Sequence, residues 1–386
     1  MLPRQNQRNR VMTALKRSKI AAITGPRQCG KTTLARQIME TTPATYLDLE
    51  SPQDAARLQN PELYLGSVAG LVIIDEIQRM PELFPILRVL ADKSTDNGRF
   101  LILGSASPEL MRNGSESLAG RVEFVDLHGF DLTETGDEHR QQLWLRGGFP
   151  RSYLANTDQD STAWREGFIR TFLERDIPQL GIGVPSTTLR RFWTMLAHSH
   201  GQVLNQSELG RSMGVSHNTI RSYIDILSAT YMIRQLQPWF VNTKKRQVKS
   251  PRIYFSDTGI LHHLLGLESY DSLLAHPALG ASWEGFALEQ ILRIRPEITP
   301  YFWSLHSGAE LDLLFTLEGK AYGVEFKYSE TPRMTKSLHG ALDELKLHRV
   351  FLVHPGSARF PFHEKVEAVP LAAFLPALRQ ITAKLG

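Results

Sequence analysis

The sequence predicts an α/β chain: a parallel sheet with helices on both faces, then a helical region, then a second α/β unit. Three observations carry this. The apolar stretch Ile20–Thr24 runs into Gly25-Pro26-Arg27-Gln28-Cys29-Gly30-Lys31-Thr32-Thr33 and then into a helical pattern. A second apolar run, Leu71-Val72-Ile73-Ile74, ends in Asp75-Glu76. Beyond residue 187, helical patterns give way to a hairpin pattern, and strands and helices alternate again after 275.

Composition sets the outer limits. A chain of 386 residues has room for two or three domains with real cores. An apolar share of 42% and a charged share of 22% are ordinary for a globular protein. One cysteine excludes an internal disulfide framework and a multi-thiolate metal site, and it fits a reducing cytosol. The polar, basic N-terminus lacks the apolar core of a secretory signal. No apolar run approaches the roughly 20 residues of a membrane span, so the expectation is a cytoplasmic protein with no membrane partner.

Taken in order, residues 9–18 read as an amphipathic lead-in helix and Ile20–Thr24 as a buried strand. Residues 25–33 fit the phosphate-loop pattern G-x-x-x-x-G-K-[ST] at every fixed position. Gly25 and Gly30 let the backbone turn so that several N–H groups face one phosphate, and the helix starting at Lys31 adds its positive end. The Lys31 ammonium would reach the β- and γ-phosphates of ATP, and the Thr32 hydroxyl would bind Mg²⁺. Residues 44–50 form the next strand and residues 51–66 a short helix or loop.

The run 71–75 is apolar enough for a central strand buried on both faces. At its end Asp75 would hold Mg²⁺, and Glu76 would polarise an attacking water. Residues 81–93 open with proline and read as a helix. Residues 99–107 read as another buried strand, whose Ser105 would either sense the γ-phosphate or cap the helix that follows. Arg121, after Gly120 and before the strand 122–127, is read either as an arginine finger or as a surface arginine at a helix end.

Residues 131–186 are mainly helical in pattern, broken at Gly147-Gly148-Phe149-Pro150. Trp164, Phe168, Ile169, Phe172 and Leu173 make one core-facing stripe, and Pro178, Gly181, Gly183 and Pro185 a hinge. Residues 187–260 hold ten Lys/Arg against three Asp/Glu, although the whole chain is only +4. Here helices at 189–198 and 205–213, a Gly214 turn and a Ser216-capped helix His217–Ala229 make a helix–turn–helix pattern. A hairpin follows, its tip carrying Lys244, Lys245, Arg246 and Lys249. That basic wing suits DNA phosphates, and His217, Asn218 and Arg221 can reach base edges. Such modules also serve as protein-interaction elements, and the charge favours nucleic acid.

In the C-terminal segment a helix contains Glu284, and strands contain Asp312 and the pair Glu325 and Lys327. Asp312 and Glu325 can face each other across a hairpin and, with Glu284, offer hard oxygen ligands to Mg²⁺. Glu325 and Lys327 share a strand face, where Lys327 would orient water beside the metal. This is a restriction-endonuclease-like arrangement; the alternative is a solvated sheet edge or a decayed nuclease.

The stretches GPRQCGKTTLARQ, LVIIDEIQRMPELFPILRVL, LILGSASPELM, SLAGRV, GGFP, LERDI and YFSDTGI together resemble a widespread prokaryotic family of AAA-type ATPases with a C-terminal domain of unknown function. The resemblance implies an additional-strand ATPase core, a winged-helix segment and a restriction-endonuclease-like fold. It implies that residues 25–33, Asp75, Glu76 and Ser105 serve the nucleotide, and it fits Glu284, Asp312, Glu325 and Lys327. Cys29 departs from the aliphatic residue frequent there and would make the loop sensitive to oxidation. The expected organisation is an ATPase core over 1–130, a helical lid or connector over 131–186, a winged helix–turn–helix over 187–265 and a nuclease-like domain over 275–386. The expected function is Mg²⁺-dependent ATP hydrolysis coupled to DNA remodelling or translocation, as a homo-oligomeric ring if Arg121 acts in trans. A nucleotide-gated signalling or defence switch, and a DNA-binding regulator reset by hydrolysis, remain open.

Overall fold

The computed structural model describes residues 2–105, 118–240 and 247–380. Its contacts group into two units, Met1–Gly129 with Ile226–Met232, and Phe130–Asp225 with Ile233–Gly386.

The first unit is built on a five-stranded sheet: β1 Ile20–Thr24, β2 Ala44–Asp48, β3 Leu71–Asp75, β4 Phe100–Gly104 and β5 Val122–Asp126. The order is β2-β3-β4-β1-β5, and every pairing is parallel. β1, β3 and β4 are buried along their whole length, as strands covered on both faces must be. The helices α1 Gln5–Arg17, α2 Lys31–Met39 and α3 Leu83–Lys93 supply part of that cover. Leu83, Phe84 and Leu87 of α3 join Ile20, Ile74 and Ile102 in one core cluster. Because β4 lies between β1 and β3, in register Thr24 to Gly104, the carboxyl ends of the three strands lie side by side. The crevice opened where the chain order reverses beside β1 is where such sheets hold ligands.

The second unit begins with helices. α4 Asp158–Thr171 continues into a π-helical turn at Phe172–Asp176, and α5 Ser186–Ala197, α6 Gln206–Met213 and α7 His217–Ala229 follow. Phe168, Ile169, Phe172 and Leu173 of the aromatic stripe are buried. Gly214 ends α6 in the left-handed region at φ +70°, and the Ser216 hydroxyl accepts the Thr219 N–H at 3.1 Å at the start of α7. The last residues of α7, from Ile226, fold with the first unit.

An eight-stranded sheet completes the second unit. Its strands are β6 Ile233–Pro238, β7 Arg252–Phe255, β8 Tyr301–Ser304, β9 Glu310–Leu317, β10 Lys320–Phe326, β11 Arg349–His354, β12 Phe360–His363 and β13 Val366–Pro370. The order is β12-β13-β11-β10-β9-β8-β6-β7. The hairpin β6–β7 that follows α7 is therefore continuous with the C-terminal sheet, joined by the parallel pair Gln237 to Tyr301 and Pro238 to Phe302. The helices α8 Leu279–Ile294, α9 Lys336–Leu345 and α10 Leu371–Gln380 complete the elements that matter below.

The two glycine-bearing stretches GGFP and SDTG meet inside this unit. Asp257 accepts the Gly148 N–H at 2.7 Å and the Ile260 N–H at 3.1 Å. Gly147 has φ +77°, and a Cβ there would stand 2.1 Å from an Asp257 carboxylate oxygen; one on Gly259 would stand 2.1 Å from the Arg146 carbonyl. Arg293 closes the knot by donating to the carbonyls of Phe130 at 2.9 Å and Ser256 at 2.5 Å. Elsewhere in the unit, Glu166 of α4 takes a bidentate bond from Arg190 of α5, at 2.9 and 2.6 Å, and one from His263 at 2.9 Å. The bonds from Arg190 outweigh desolvation and, with His263, hold the Glu166 carboxyl down to about 2.

Two stability measurements follow from these contacts. Gly147→Ala, which combines a left-handed backbone with a direct clash, lowers stability by about 2 kcal/mol or more in urea unfolding. Glu166 titrates near the ordinary ~4.3 when unfolded, so its contribution is complete above that pH and is lost as pH falls toward 2. Glu166→Gln therefore flattens the acid limb of the urea midpoint below pH ~4.5.

Candidate functional site

The loop leaving β1 has the backbone its sequence requires. Gly25 sits at φ +150°, where a Cβ would meet the Leu127 carbonyl oxygen at 2.0 Å. Gly30 caps α2 at φ +101°, and Gln28 also lies in the left-handed region at φ +62°. Lys31 is buried, its ammonium donating to the carbonyls of Gly25 at 3.0 Å and Pro26 at 2.8 Å. Arg27 lies 3.6 Å from Glu50, and Thr33 continues α2.

The end of β3 faces this loop. Thr32 Oγ1 donates to Asp75 Oδ2 at 2.6 Å. Tyr46 of β2 donates its hydroxyl to the same oxygen at 2.6 Å, and the Glu76 N–H donates to Asp75 Oδ1 at 2.9 Å. Burial and the Asp75 carboxylate push the Tyr46 phenol up, so it stays a donor. Glu76 adopts φ +55°, uncommon for a residue with a side chain, and this turns its carboxylate toward β4. There Ser105 donates to Glu76 Oε2 at 3.0 Å, and the Gln78 amide nitrogen donates both to Glu76 Oε2 and to Ser105 Oγ, the latter at 3.1 Å. The Gln78 amide oxygen is buried and has no hydrogen-bond partner among the described residues.

These groups fit a nucleoside triphosphate with Mg²⁺. The loop supplies a glycine cradle and a buried ammonium, and the Thr32 hydroxyl and Asp75 carboxylate meet as paired oxygen donors. Tyr46 and Gln78 escaped sequence reading, because nothing local marks a tyrosine in a half-buried strand or a glutamine one turn past an acid pair. Arg4 escaped it as well. Its buried guanidinium donates to the carbonyls of Cys29 at 2.9 Å, His128 at 3.0 Å and Gly129 at 3.1 Å, bracing the loop from behind.

Arg121 and Cys29 complete the residues singled out in this unit. Arg121 makes a bidentate pair with Asp92 of α3, at 2.5 and 2.9 Å, and also donates to the Ala119 carbonyl at 2.9 Å. Cys29 is fully buried, its thiol donating to the Leu127 carbonyl at 3.3 Å, so oxidants do not reach it in this conformation.

In the second unit, Glu284 of α8, Asp312 of β9 and Glu325 of β10 do converge, as the hairpin register predicts: Leu313 pairs with Val324, one residue from each acid. A protein cation lies among them. The Arg252 guanidinium of β7 donates to Asp312 at 3.1 Å and Glu284 at 3.4 Å, and also to Glu310. Tyr254 donates its hydroxyl to Glu284, and Lys327 lies 2.7 Å from Glu325. Burial, then the Asp312 charge, pushes the Glu325 carboxyl up to about 8 and lifts Glu284 well above the carboxylate range. Among the described residues, no group of three or more His, Cys, Asp or Glu side chains is arranged to hold a metal ion. Arg252 has taken the cation's place in the expected Mg²⁺ set of Glu284, Asp312 and Glu325, and a divalent ion does not fit this arrangement.

His217, Asn218 and Arg221 are exposed on the first turns of α7, and Lys249 is exposed before β7. Lys244, Lys245 and Arg246 lie outside the described residues. Among the described residues, no helix is long and apolar enough to cross a membrane.

Comparison with known proteins adds to the geometry. Family models match residues 17–136 as an AAA domain, 137–271 as a domain of unknown function (DUF8612), and 279–374 as another (DUF4143). Uncharacterized protein Rv2008c of Mycobacterium tuberculosis and uncharacterized protein Mb2031c of Mycobacterium bovis are each 49% identical over 370 residues, covering 96% of this chain and 84% of theirs. The Walker-type ATPase PABY2304 of Pyrococcus abyssi is 14% identical with a TM-score of 0.49, covering 69% of this chain and 96% of that one.

The contacts around Glu76 set one expectation. Gln78→Ala, which frees the Glu76 carboxylate and removes a buried amide, lowers kcat for ATP about 10-fold or more and leaves ATP affinity within about twofold. Steady-state turnover beside equilibrium nucleotide binding checks it.

Proposed function

The chain belongs to the family of AAA-type ATPases with a C-terminal domain of unknown function, and on that premise we propose that it couples ATP hydrolysis to work on DNA. One observation supports the chemistry most: Lys31, Thr32, Asp75, Glu76, Ser105 and Gln78 meet at the carboxyl edge of a single parallel sheet.

Each residue has a defined task. Backbone N–H groups of residues 25–33 bind the β-phosphate, and the Lys31 ammonium exchanges its two carbonyl partners for phosphate oxygens. Thr32 and Asp75 would hold Mg²⁺, which when bound draws charge off the β- and γ-phosphate oxygens. Tyr46 and the Glu76 N–H orient the Asp75 carboxylate. Glu76 accepts a proton from the attacking water, while Ser105 and Gln78 fix which of its oxygens faces that water. This sequence needs no arginine finger, and Arg121, paired with Asp92, is not assigned one.

DNA is favoured as the object of the work by the exposed His217, Asn218 and Arg221 on α7 and by the basic excess of residues 187–260. The helix–turn–helix and hairpin would act as a winged module, with phosphates on Lys249 and the neighbouring basic residues. Nuclease action by Glu325 and Lys327 forms no part of the proposal, because Arg252 stands in the carboxylate cluster.

The test is ATP turnover with and without single-stranded and duplex DNA. The wild-type rate rises with one of them; Lys31→Ala abolishes binding, and Glu76→Gln binds ATP without turnover. Arg221→Ala with Lys249→Ala weakens the stimulation and lowers the salt slope of DNA binding by up to about 2. Turnover indifferent to every DNA tried removes DNA from the proposal and leaves the ATPase.

A further inference from the structure

Tyr231 occupies a position that ordinarily belongs to glycine. It follows α7, where the Met232 N–H bonds the Leu227 carbonyl at 2.9 Å and the Tyr231 N–H bonds the Ser228 carbonyl at 3.0 Å. That pair of bonds is the Schellman ending of a helix, and the residue between them must take a left-handed backbone. Tyr231 does so at φ +64°. For a bulky residue this costs about 1 kcal/mol or more, which something in the fold must offset.

The offset lies at the root of the phosphate loop. The Tyr231 hydroxyl donates to Asp126 Oδ1 at 3.0 Å, and Thr24 Oγ1 donates to the same oxygen at 2.6 Å. Thr24 is the last residue of β1 and the one before Gly25. It is fully buried, and its carbonyl accepts the Leu127 N–H at 2.7 Å. The His128 ring packs edge-on against Tyr231, centroids 5.9 Å apart, while Arg4 holds the His128 and Cys29 carbonyls. Burial and the Asp126 charge push the phenol up, so it donates throughout the physiological range. Ile226–Met232, the only part of α7 and its ending that folds with the nucleotide unit, thus meets that unit where the loop begins.

We propose that Tyr231 is a positioning residue of the ATP site: through Asp126 it sets Thr24, and so the start of the phosphate loop, and it carries the state of that loop to the end of α7. The proposal rests on residues 25–33 being the ATP loop. It gives α7, whose opposite end carries His217, Asn218 and Arg221, a route by which nucleotide reaches it without passing through Lys31 or Glu76.

Full-length wild type, Tyr231→Phe, Tyr231→Gly and Asp126→Asn are compared, with ATPγS as the probe. In wild type, ATPγS changes hydrogen exchange over residues 226–232. Tyr231→Phe keeps the ring and the backbone strain but loses the donor. It raises KM for ATP about 3- to 10-fold, leaves kcat within about twofold, and abolishes the exchange response. Asp126→Asn shows the same loss of response. Tyr231→Gly relieves the strain but forfeits the ring packing; it melts lower than Tyr231→Phe yet loses the coupling to the same extent. Wild type that binds ATPγS with no change over 226–232 overturns the proposal and leaves the ATPase standing. So does Tyr231→Phe with KM and exchange response unaltered, or a KM change that tracks the melting temperature in both Tyr231 variants. Wild type that neither binds ATPγS nor turns over ATP overturns both readings.

Discussion

The approach of one carbonyl to one glycine constrains most of the first unit. The Leu127 oxygen lies where a Gly25 Cβ would be, so the chain beyond β5 presses directly on the start of the phosphate loop. That approach needs β5 beside β1, and β5 stands there because β4 has taken the other side. The Cys29 thiol bonds the same carbonyl, and Arg4 ties the Cys29 carbonyl to the two residues after Leu127. Loop, strand and N-terminal arginine therefore form one braced object. A loop braced from behind keeps its N–H groups turned to the front, which is what electrostatic binding of phosphate rewards.

What could be read in advance was what local chemistry writes down. A glycine pattern that demands particular backbone angles, an apolar run too continuous for an exposed strand, and a serine before a helix placed residues 25–33, β3 and α7. What could not be read depends on partners far away along the chain. Arg252 looks like any strand residue until β7 joins the sheet and brings it among Glu284, Asp312 and Glu310. The join of β6 to β8 rests on two residue pairs about 64 positions apart, which no periodicity announces. The glycines of GGFP marked a break in the helices, but that Gly147 makes room for Asp257 and Gly148 for the Phe130 backbone follows only from the packing.

The two carboxylate centres show how one residue type is put to opposite uses. Asp75 and Glu76 are met by hydroxyls and amides, neutral donors that leave their charge available to a cation and a water. Glu284 and Asp312 are met by a guanidinium, and the Arg252 ring contact with Phe302, 5.0 Å from its centroid, seals that charge inside the fold. The first arrangement bonds the negative charge without cancelling it. The second neutralises it within, so an acid cluster in a sheet is a poor guide to chemistry until its nearest cation is known.

The resting place of Lys31 has a consequence for selectivity. Its ammonium already has two acceptors in its own loop, so an incoming anion competes with them rather than filling a vacancy. A lone phosphate ion offers one centre of charge and gives up much of its hydration to reach a buried site. On the proposed reading a polyphosphate would span the loop and the lysine together, and so meet that competition with several bonds at once. On the proposed ATP-binding reading, such a latch would favour linked phosphates over a single phosphate ion.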